Sequence, residues 1–472
     1  MAKVIMIQGT TSNAGKSLIT AALCRIFTQD GYKTAPFKSQ NMALNSYITR
    51  DGLEMGRAQA MQAEAAGIEP DIRMNPILLK PTGKGCQVIL KGEIYKNVEN
   101  YHNLKHEMTP HISAAYNSLA SEYDIIVIEG AGSPAEINLR EHDIANMGMA
   151  RLADSPVIIV GDIDRGGVFA SLAGTMLLLE DEDKKRVKGT IINKFRGDIE
   201  ILKPGIKMFN DITGLEVLGV VPYLNIDIDD EDSLSERLTT KVEKNTLNIA
   251  VIRLPHISNF NDFNIFTMFN EASLKYVSNY DELENPDMII IPGTKNTIDD
   301  LIWLRQTGLD LKIINHADEG RPVFGVCGGY QMLGKAIYDP DNAESGGSIE
   351  GLGLLNTVTT FKTYKTRTRA TGKINAVNGF YNELSGLDIE GYEIHMGETE
   401  IIDGEAMNII EATGQKVCRK SDGCVKDNIA GSYIHGIFDS CDVVKIIVKS
   451  LLKQKGLNKE VAEDFDLREY RS

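Results

Sequence analysis

The stretch that most constrains this chain is its opening. Lys3-Val4-Ile5-Met6-Ile7 is a short apolar run suited to a buried strand. Gly9-Thr10-Thr11-Ser12-Asn13-Ala14-Gly15-Lys16-Ser17 follows, then an apolar helical pattern at Leu18, Ala21, Ala22 and Ile26. A strand that turns through glycines into a helix commits a chain to an α/β layer. It also builds an anion site, because a loop of small residues turns backbone N–H groups inward where the helix presents its positive end. Gly9, Thr10, Asn13 and Gly15 are expected to wrap the phosphates of ATP. Lys16 is expected to reach the outer phosphates and the Ser17 hydroxyl to ligate Mg²⁺. Five residues separate Gly9 from Gly15, one more than in the usual pattern, so the loop is a variant form.

Strands and helices then alternate. Thr34–Phe37 reads as a second strand and runs into Lys38-Ser39-Gln40-Asn41-Met42-Ala43-Leu44-Asn45-Ser46, whose density of polar groups marks a ligand loop. Gly52 to Gly67 has a helical pattern, its Met and Ala positions suited to core packing. Arg57, Gln59 and Gln62 are left there as candidate substrate contacts, with Gln40, Asn41 and Asn45. Asp124-Ile125-Ile126-Val127-Ile128-Glu129-Gly130-Ala131-Gly132 repeats the grammar of the opening and puts Glu129 at the carboxyl edge of a buried strand, where it can hold Mg²⁺. Further strands are expected at Pro156–Val160, Thr190–Phe195 and Val217–Pro222, with Asn193 placed to read the adenine edge of a nucleotide. The pattern specifies a doubly wound parallel sheet. Residues 226 to 246, with the acidic run Asp227 to Asp232, read as a solvated connector.

A second alternating series begins at Leu247 and includes Met288–Ile291, which ends in Pro292-Gly293-Thr294-Lys295. It leads to Val323-Phe324-Gly325-Val326-Cys327-Gly328-Gly329-Tyr330, where a strand breaks at a glycine-flanked cysteine and resumes as a helix. That is a nucleophile elbow with Cys in place of Ser. The helix field favours the thiolate of Cys327, the N–H of Gly328 is free to meet an oxyanion, and the Gly293-Thr294 turn offers a second donor. The base is expected to be His435, in Gly431-Ser432-Tyr433-Ile434-His435-Gly436. His395, in Tyr392-Glu393-Ile394-His395, reads either as a substrate contact or as structural. Gly351 to Gly404 looks like an antiparallel addition to the sheet, and the helix Val443 to Lys455 with its charged tail looks like surface structure. The resulting division is a P-loop domain at 1–228, a linker at 229–246, a second α/β domain at 247–442 and a C-terminal helix and tail at 443–472.

At 472 residues the chain has room for two or three domains, and its 42% hydrophobic and 25% charged composition is that of a globular protein. A net charge of −16 argues against nucleic acid as a partner. No apolar run is long enough to span a membrane, and six cysteines without a C-x-x-C pair fit a reducing compartment, so a cytoplasmic setting is expected.

The five-spacer loop with Glu129-Gly130-Ala131-Gly132 resembles the dethiobiotin synthetase group of P-loop enzymes, and the Gly-x-Cys-Gly-Gly elbow with its distant His resembles class I glutamine amidotransferases. Both stand in one chain with Gln40-Asn41-Met42, Gly56-Arg57-Ala58-Gln59, Pro292-Gly293-Thr294-Lys295-Asn296-Thr297 and Tyr392-Glu393-Ile394-His395. In that combination nearly the whole chain closely resembles the cobyric acid synthase branch of the CobB/CobQ family of P-loop amidotransferases. The resemblance implies a P-loop sheet domain followed by a class I amidotransferase α/β domain. It implies that glutamine is hydrolysed at Cys327 through a thioester, with His435 as base and Gly293 and Gly328 as oxyanion donors. ATP would activate corrinoid carboxylates for amidation by the released ammonia, at the b, d, e and g side chains of adenosylcobyrinic acid a,c-diamide. The sequence departs from many class I amidotransferases in one respect: Ile437 stands two residues after the histidine, where those carry Glu. Two other readings remain at this stage: a cobyrinic acid a,c-diamide synthase and a ParA-like regulatory ATPase. The ATPase reading leaves Cys327 and His435 without work.

Overall fold

A computed structural model describes residues 2–82, 85–99, 101–224, 246–413, 418–457 and 461. They divide into two compact units, Met1–Ala43 with Met55–Asp229, and Leu44–Glu54 with Asp230–Ser472. The short stretch Leu44–Glu54 thus packs with the second unit, a detour that a boundary at residue 228 does not contain. Apart from Thr246, the expected linker at 229–246 lies outside the described residues, as does most of the tail.

The first unit is built on six strands: β1 (Lys3–Gly9), β2 (Thr34–Phe37), β3 (Ile125–Glu129), β4 (Val157–Asp162), β5 (Val187–Phe195) and β6 (Val217–Pro222). They lie in the order β6-β5-β4-β1-β3-β2, with every pairing parallel. The β-branched runs of β1, β3 and β4 suit a sheet buried on both faces, and Ile7, Val127 and Val160 pack there with Ile19 and Cys24 of α1 (Lys16–Gln29). The chain builds outward on one side of β1 through β2 and β3, then on the other from β4. This reversal leaves a crevice at the carboxyl ends of β1 and its neighbours, where such sheets bind ligands. The helix expected from Gly52 starts later. Glu54–Gly56 is a short strand, and α2 (Arg57–Ala65) begins only where the Ala-rich stripe does, burying Ala58, Ala60 and Ala63. A small four-stranded sheet, Gln40–Met42, Ile77–Thr82, Gly85–Leu90 and Glu93–Val98, completes the unit.

The second unit has β7 (Leu247–Ile252), β8 (Ala272–Val277), β9 (Met288–Ile291), β10 (Val323–Val326), β11 (Cys424–Lys426) and β12 (Ile429–Ser432) in the order β8-β7-β9-β10-β12-β11. Only β11 runs antiparallel. The Gly351 to Gly404 region does not extend this sheet as expected. Its long strands Asn356–Ile374 and Asp388–Asp403 pair with each other, and the first joins a separate sheet with Ala336–Asp339 and Asn408–Thr413. The apolar, aromatic stretch Phe260–Met268 is a 3₁₀ turn. The last helix, α4 (Cys441–Gln454), is not surface structure, because Val443, Val444, Ile447, Val448, Leu451 and Leu452 form one fully buried face in the unit's core. Its apolar residues recur at helical spacing, and the lysines between them had masked that stripe.

Candidate functional site

In the first unit, β1 ends in the glycine-bounded loop and α1 starts at Lys16. Gly15 sits at φ +100°, a backbone angle that side chains rarely adopt, and an added Cβ there would lie 1.9 Å from the Asn193 amide nitrogen. Asn193 itself donates to the Ala14 carbonyl at 2.9 Å, so its side-chain nitrogen braces the loop from β5. The Lys16 ammonium donates to two backbone carbonyls, Thr11 and Gly132, each at 3.0 Å. The loop after β3 is fixed in turn by Asn146, whose side chain exchanges hydrogen bonds with both backbone groups of Ala131.

Glu129 ends β3 fully buried. The Ser17 hydroxyl donates to its Oε1 at 2.9 Å and the buried Lys38 ammonium to the same oxygen at 3.0 Å, while the Gln62 amide donates to Oε2. Burial alone would push this carboxyl up, but the Lys38 charge, the Gln62 and Lys38 hydrogen bonds and the Lys16 charge outweigh it and hold Glu129 below the usual carboxylate range. An ionised carboxylate touching a hydroxyl beside a phosphate loop is the donor set that a hard, oxygen-seeking cation takes, so Ser17 and Glu129 fit Mg²⁺. Lys38 and Gln62 are the neighbours that sequence reasoning underrated. Lys38 directly follows the carboxyl end of β2, the same position in its strand that drew attention to Glu129.

The amide residues expected at the substrate are partly engaged with one another. Asn41 donates to Gln59 at 2.8 Å, and Arg57 lies 3.8 Å from Glu64. Gln40 Oε1 and Gln59 Nε2 are buried polar atoms with no partner among the described residues. Asn45 belongs to the second unit with the Leu44–Glu54 stretch.

In the second unit, β10 breaks at Cys327 and resumes as α3 (Gly328–Leu333). The cysteine holds φ +50° and ψ −108°, a strained position for a residue with a side chain. Gly325 and Gly329 make that turn possible: a Cβ on Gly329 would lie 2.0 Å from the Ile291 carbonyl oxygen, and one on Gly325 would press into Gly329. The turn carrying Gly293 and Thr294 sits against the elbow, with a Gly328 Cβ position 3.1 Å from the Thr294 backbone nitrogen and a Gly293 Cβ position 3.0 Å from the His435 ring. The two expected oxyanion glycines therefore flank the Cys327 and His435 pair.

His435 is 1% exposed, and its Nδ1 meets Asp262 Oδ2 at 2.7 Å. Burial works against the imidazolium, but the Asp262 charge and hydrogen bond and contacts with Cys327 overcome it and push His435 up to about 10. The acid in this row is neither Ile437, which is buried, nor the neighbouring Asp439, but Asp262, far upstream in the chain. It rides on the Phe260–Met268 turn. Phe263 and Phe266 pin that turn against Phe438, which meets Phe324 of β10 edge to face at 4.9 Å between ring centres. No spacing in the sequence links Asp262 to His435; the only available signal was a lone acid within an aromatic run. The Cys327 thiol points at the Ile394 carbonyl, 3.6 Å away. His395 stacks on Tyr433 at 3.7 Å and lies 3.5 Å from Glu393, a carboxylate held down to about 2, where burial is overcome by His395 and Lys420.

Comparison with known proteins matches two successive parts of the chain. Residues 5–236 match the model of the CobQ/CobB/MinD/ParA nucleotide binding domain, and residues 248–443 match the CobB/CobQ-like glutamine amidotransferase domain. The cobyric acid synthase of Ruminiclostridium cellulolyticum is 58% identical, the match covering 100% of this chain and 93% of that one. Those of Lachnoclostridium phytofermentans and a Thermoanaerobacter species are 52% and 50% identical, each match covering 100% of this chain and 94% of the relative.

Proposed function

The chain belongs to the cobyric acid synthase family, and from that premise we propose how its two sites share the work. The protein is an ATP-using, glutamine-hydrolysing amidoligase of cobalamin biosynthesis, which sets aside the ParA-like switch. One observation carries the division of labour: a single chain holds both a phosphate loop closed on a buried carboxylate and a strained cysteine facing an acid-held histidine.

At the second site the Cys327 thiolate adds to the glutamine amide carbon. The oxyanion is met by the backbone N–H of Gly328 and of Gly293. Protonated His435 gives its proton to the departing nitrogen, ammonia leaves, and a thioester remains. His435 then takes a proton from water as it attacks the thioester, releasing glutamate and restoring the thiolate. Asp262 keeps the imidazole in the tautomer and orientation both halves require.

At the first site ATP lies in the loop of Gly9, Thr10, Asn13 and Gly15 with Lys16 on its outer phosphates. Ser17 and Glu129 would hold Mg²⁺, which neutralises phosphate charge when bound. A corrinoid carboxylate attacks the γ-phosphorus, ADP leaves, and an acyl phosphate forms. Ammonia adds to its carbonyl and phosphate departs, leaving a primary amide. Gln40, Asn41, Arg57 and Gln59 are the side chains we assign to substrate contacts in the first unit, and Asn45 and His395 are assigned to substrate contacts in the second. Four such rounds on the a,c-diamide, at b, d, e and g, yield cobyric acid. Six free cysteines and a thiolate nucleophile suit a reducing cytoplasm, and no described helix is long and apolar enough to cross a membrane.

The test is amidation with purified protein, ATP and either glutamine or ammonium salt. The a,c-diamide should take up four amides and the unamidated acid none. A protein that consumes no ATP when given corrinoid and ammonium, or that prefers the unamidated acid, would overturn the assignment.

A further inference from the structure

The Leu44–Glu54 excursion touches the back of the glutaminase centre. Ser46–Ile48 and Glu54–Gly56 form a two-stranded hairpin. The Ser46 N–H donates to Asn259 Oδ1 at 3.0 Å, and the Ser46 carbonyl accepts from the Tyr392 hydroxyl at 2.8 Å. Asn259 closes the triangle by donating to the same hydroxyl at 3.0 Å, and all three residues are buried. Ser46 also donates to buried Glu54, which pairs with Lys365 at 2.7 Å.

Tyr392 and Asn259 each lead to His435. The Tyr392 ring stacks on the imidazole at 5.3 Å and 23°, and the two residues exchange both backbone hydrogen bonds. Asn259, at φ +50°, caps the turn that carries Asp262, and its carbonyl accepts from the Asp262 N–H at 3.1 Å. One face of the imidazole and the acid on its Nδ1 are thus both referred to Ser46. The hairpin leaves the first unit a few residues after Lys38 and returns a few residues before Gln62, the two side chains that grip Glu129.

We infer that Tyr392 and Asn259 are positioning residues for His435, anchored by the Ser46 backbone of the Leu44–Glu54 hairpin. The inference rests on Cys327 and His435 being the glutaminase pair. A bare glutaminase would need no strand borrowed from the phosphate-loop portion of the chain. This one has its histidine stacked on a tyrosine ring whose hydroxyl is held by an amide and a backbone carbonyl, and the carbonyl belongs to that borrowed strand.

The experiment compares full-length wild type with Tyr392→Phe, which keeps the ring and loses the hydroxyl, and Asn259→Asp, which tolerates the same backbone angle and loses the amide donor. Glutaminase kcat and KM are measured with and without ATP and the a,c-diamide, alongside ammonium-dependent amidation and the unfolding midpoint. Each variant should lose about tenfold in glutaminase kcat with KM for glutamine unchanged. The ammonium-dependent rate and the midpoint should stay at wild-type values. A variant that keeps the wild-type glutaminase kcat overturns the inference, as does one whose ammonium-dependent rate falls in step. Cys327→Ser is the control for the underlying reading: if it still hydrolyses glutamine, the site assignment is what fails, and not the role of Tyr392.

Discussion

Two strand-to-helix turns carry the proposed chemistry, and they differ in what occupies the left-handed position. After β1 it is Gly15, at φ +100°, and the functional side chains Lys16 and Ser17 follow it inside a regular helix. After β10 it is the proposed nucleophile itself, Cys327, at φ +50°, with glycines on either side absorbing the crowding. An anion cradle works through backbone N–H groups, so the chain puts its least bulky residue where the backbone must turn. A nucleophile works through its side chain, so the strain is placed on the reacting residue and lifts its sulfur clear of the helix. The same local grammar serves opposite ends: one turn removes side chains to make a hole, the other raises one to make a tip.

The largest test of that contrast removes each turn's working group. Lys16→Ala should abolish amidation from glutamine and from ammonium alike, by at least about 10³-fold, because both routes need the activated carboxylate. Cys327→Ala should abolish only the glutamine route by a similar factor and leave the ammonium route intact. Parallel assays with the two nitrogen sources read the split directly. Equal loss of both routes in the cysteine variant would dissolve the distinction between the turns.

Asp262→Asn comes next. The amide keeps the shape but gives up the charge that orients and protonates His435, so glutaminase kcat should fall on the order of 10²-fold, with the ammonium route unaffected. An unchanged rate would return the third position to an open choice.

That acid marks where sequence reading stopped. The parallel sheets were legible, as were the candidate positions in the phosphate loop and at Glu129, Cys327 and His435, because each follows from residues within a few positions of one another. A β-branched run, a glycine and a polar residue at the strand's end suffice. Asp262 was not legible, because it reaches His435 by the folding of an aromatic turn onto Phe438. Nor was the Leu44–Glu54 detour, whose polar density reads as a ligand loop equally well in either unit. The separate antiparallel sheet escaped for a related reason: alternation shows that strands pair, but not with which sheet.

The charge on His435 gives a smaller, pH-dependent effect. Its pKa rises from an ordinary 6.5 to about 10 in the folded protein. Between those values the folded state keeps a proton that the unfolded chain has released. The stabilisation is therefore complete below about 6.5 and is lost as pH climbs through about 10. The unfolding midpoint should fall across that window in the wild type, and the slope should flatten in Asp262→Asn. The shifted carboxyl at the phosphate loop behaves in the opposite sense: Glu129 is depressed below its ordinary value, so its contribution fades on the acid side.

The smallest effect belongs to Asn193, and it decides what that residue does for the first turn. Its amide nitrogen is committed to the Ala14 carbonyl at 2.9 Å, where it occupies the space that a side chain on Gly15 would claim. A residue that holds the loop should act on any nucleotide through the phosphates, whereas one that reads the base should act on adenine alone. Losing one buried hydrogen bond costs about 1 kcal/mol, so Asn193→Ala should raise KM about fivefold. The rise should be equal for ATP and GTP in ammonium-dependent amidation, with basal glutaminase unchanged. A rise confined to ATP would instead make Asn193 a reader of the adenine edge. The loop after β1 would then be held by its glycines alone, as the turn after β10 is.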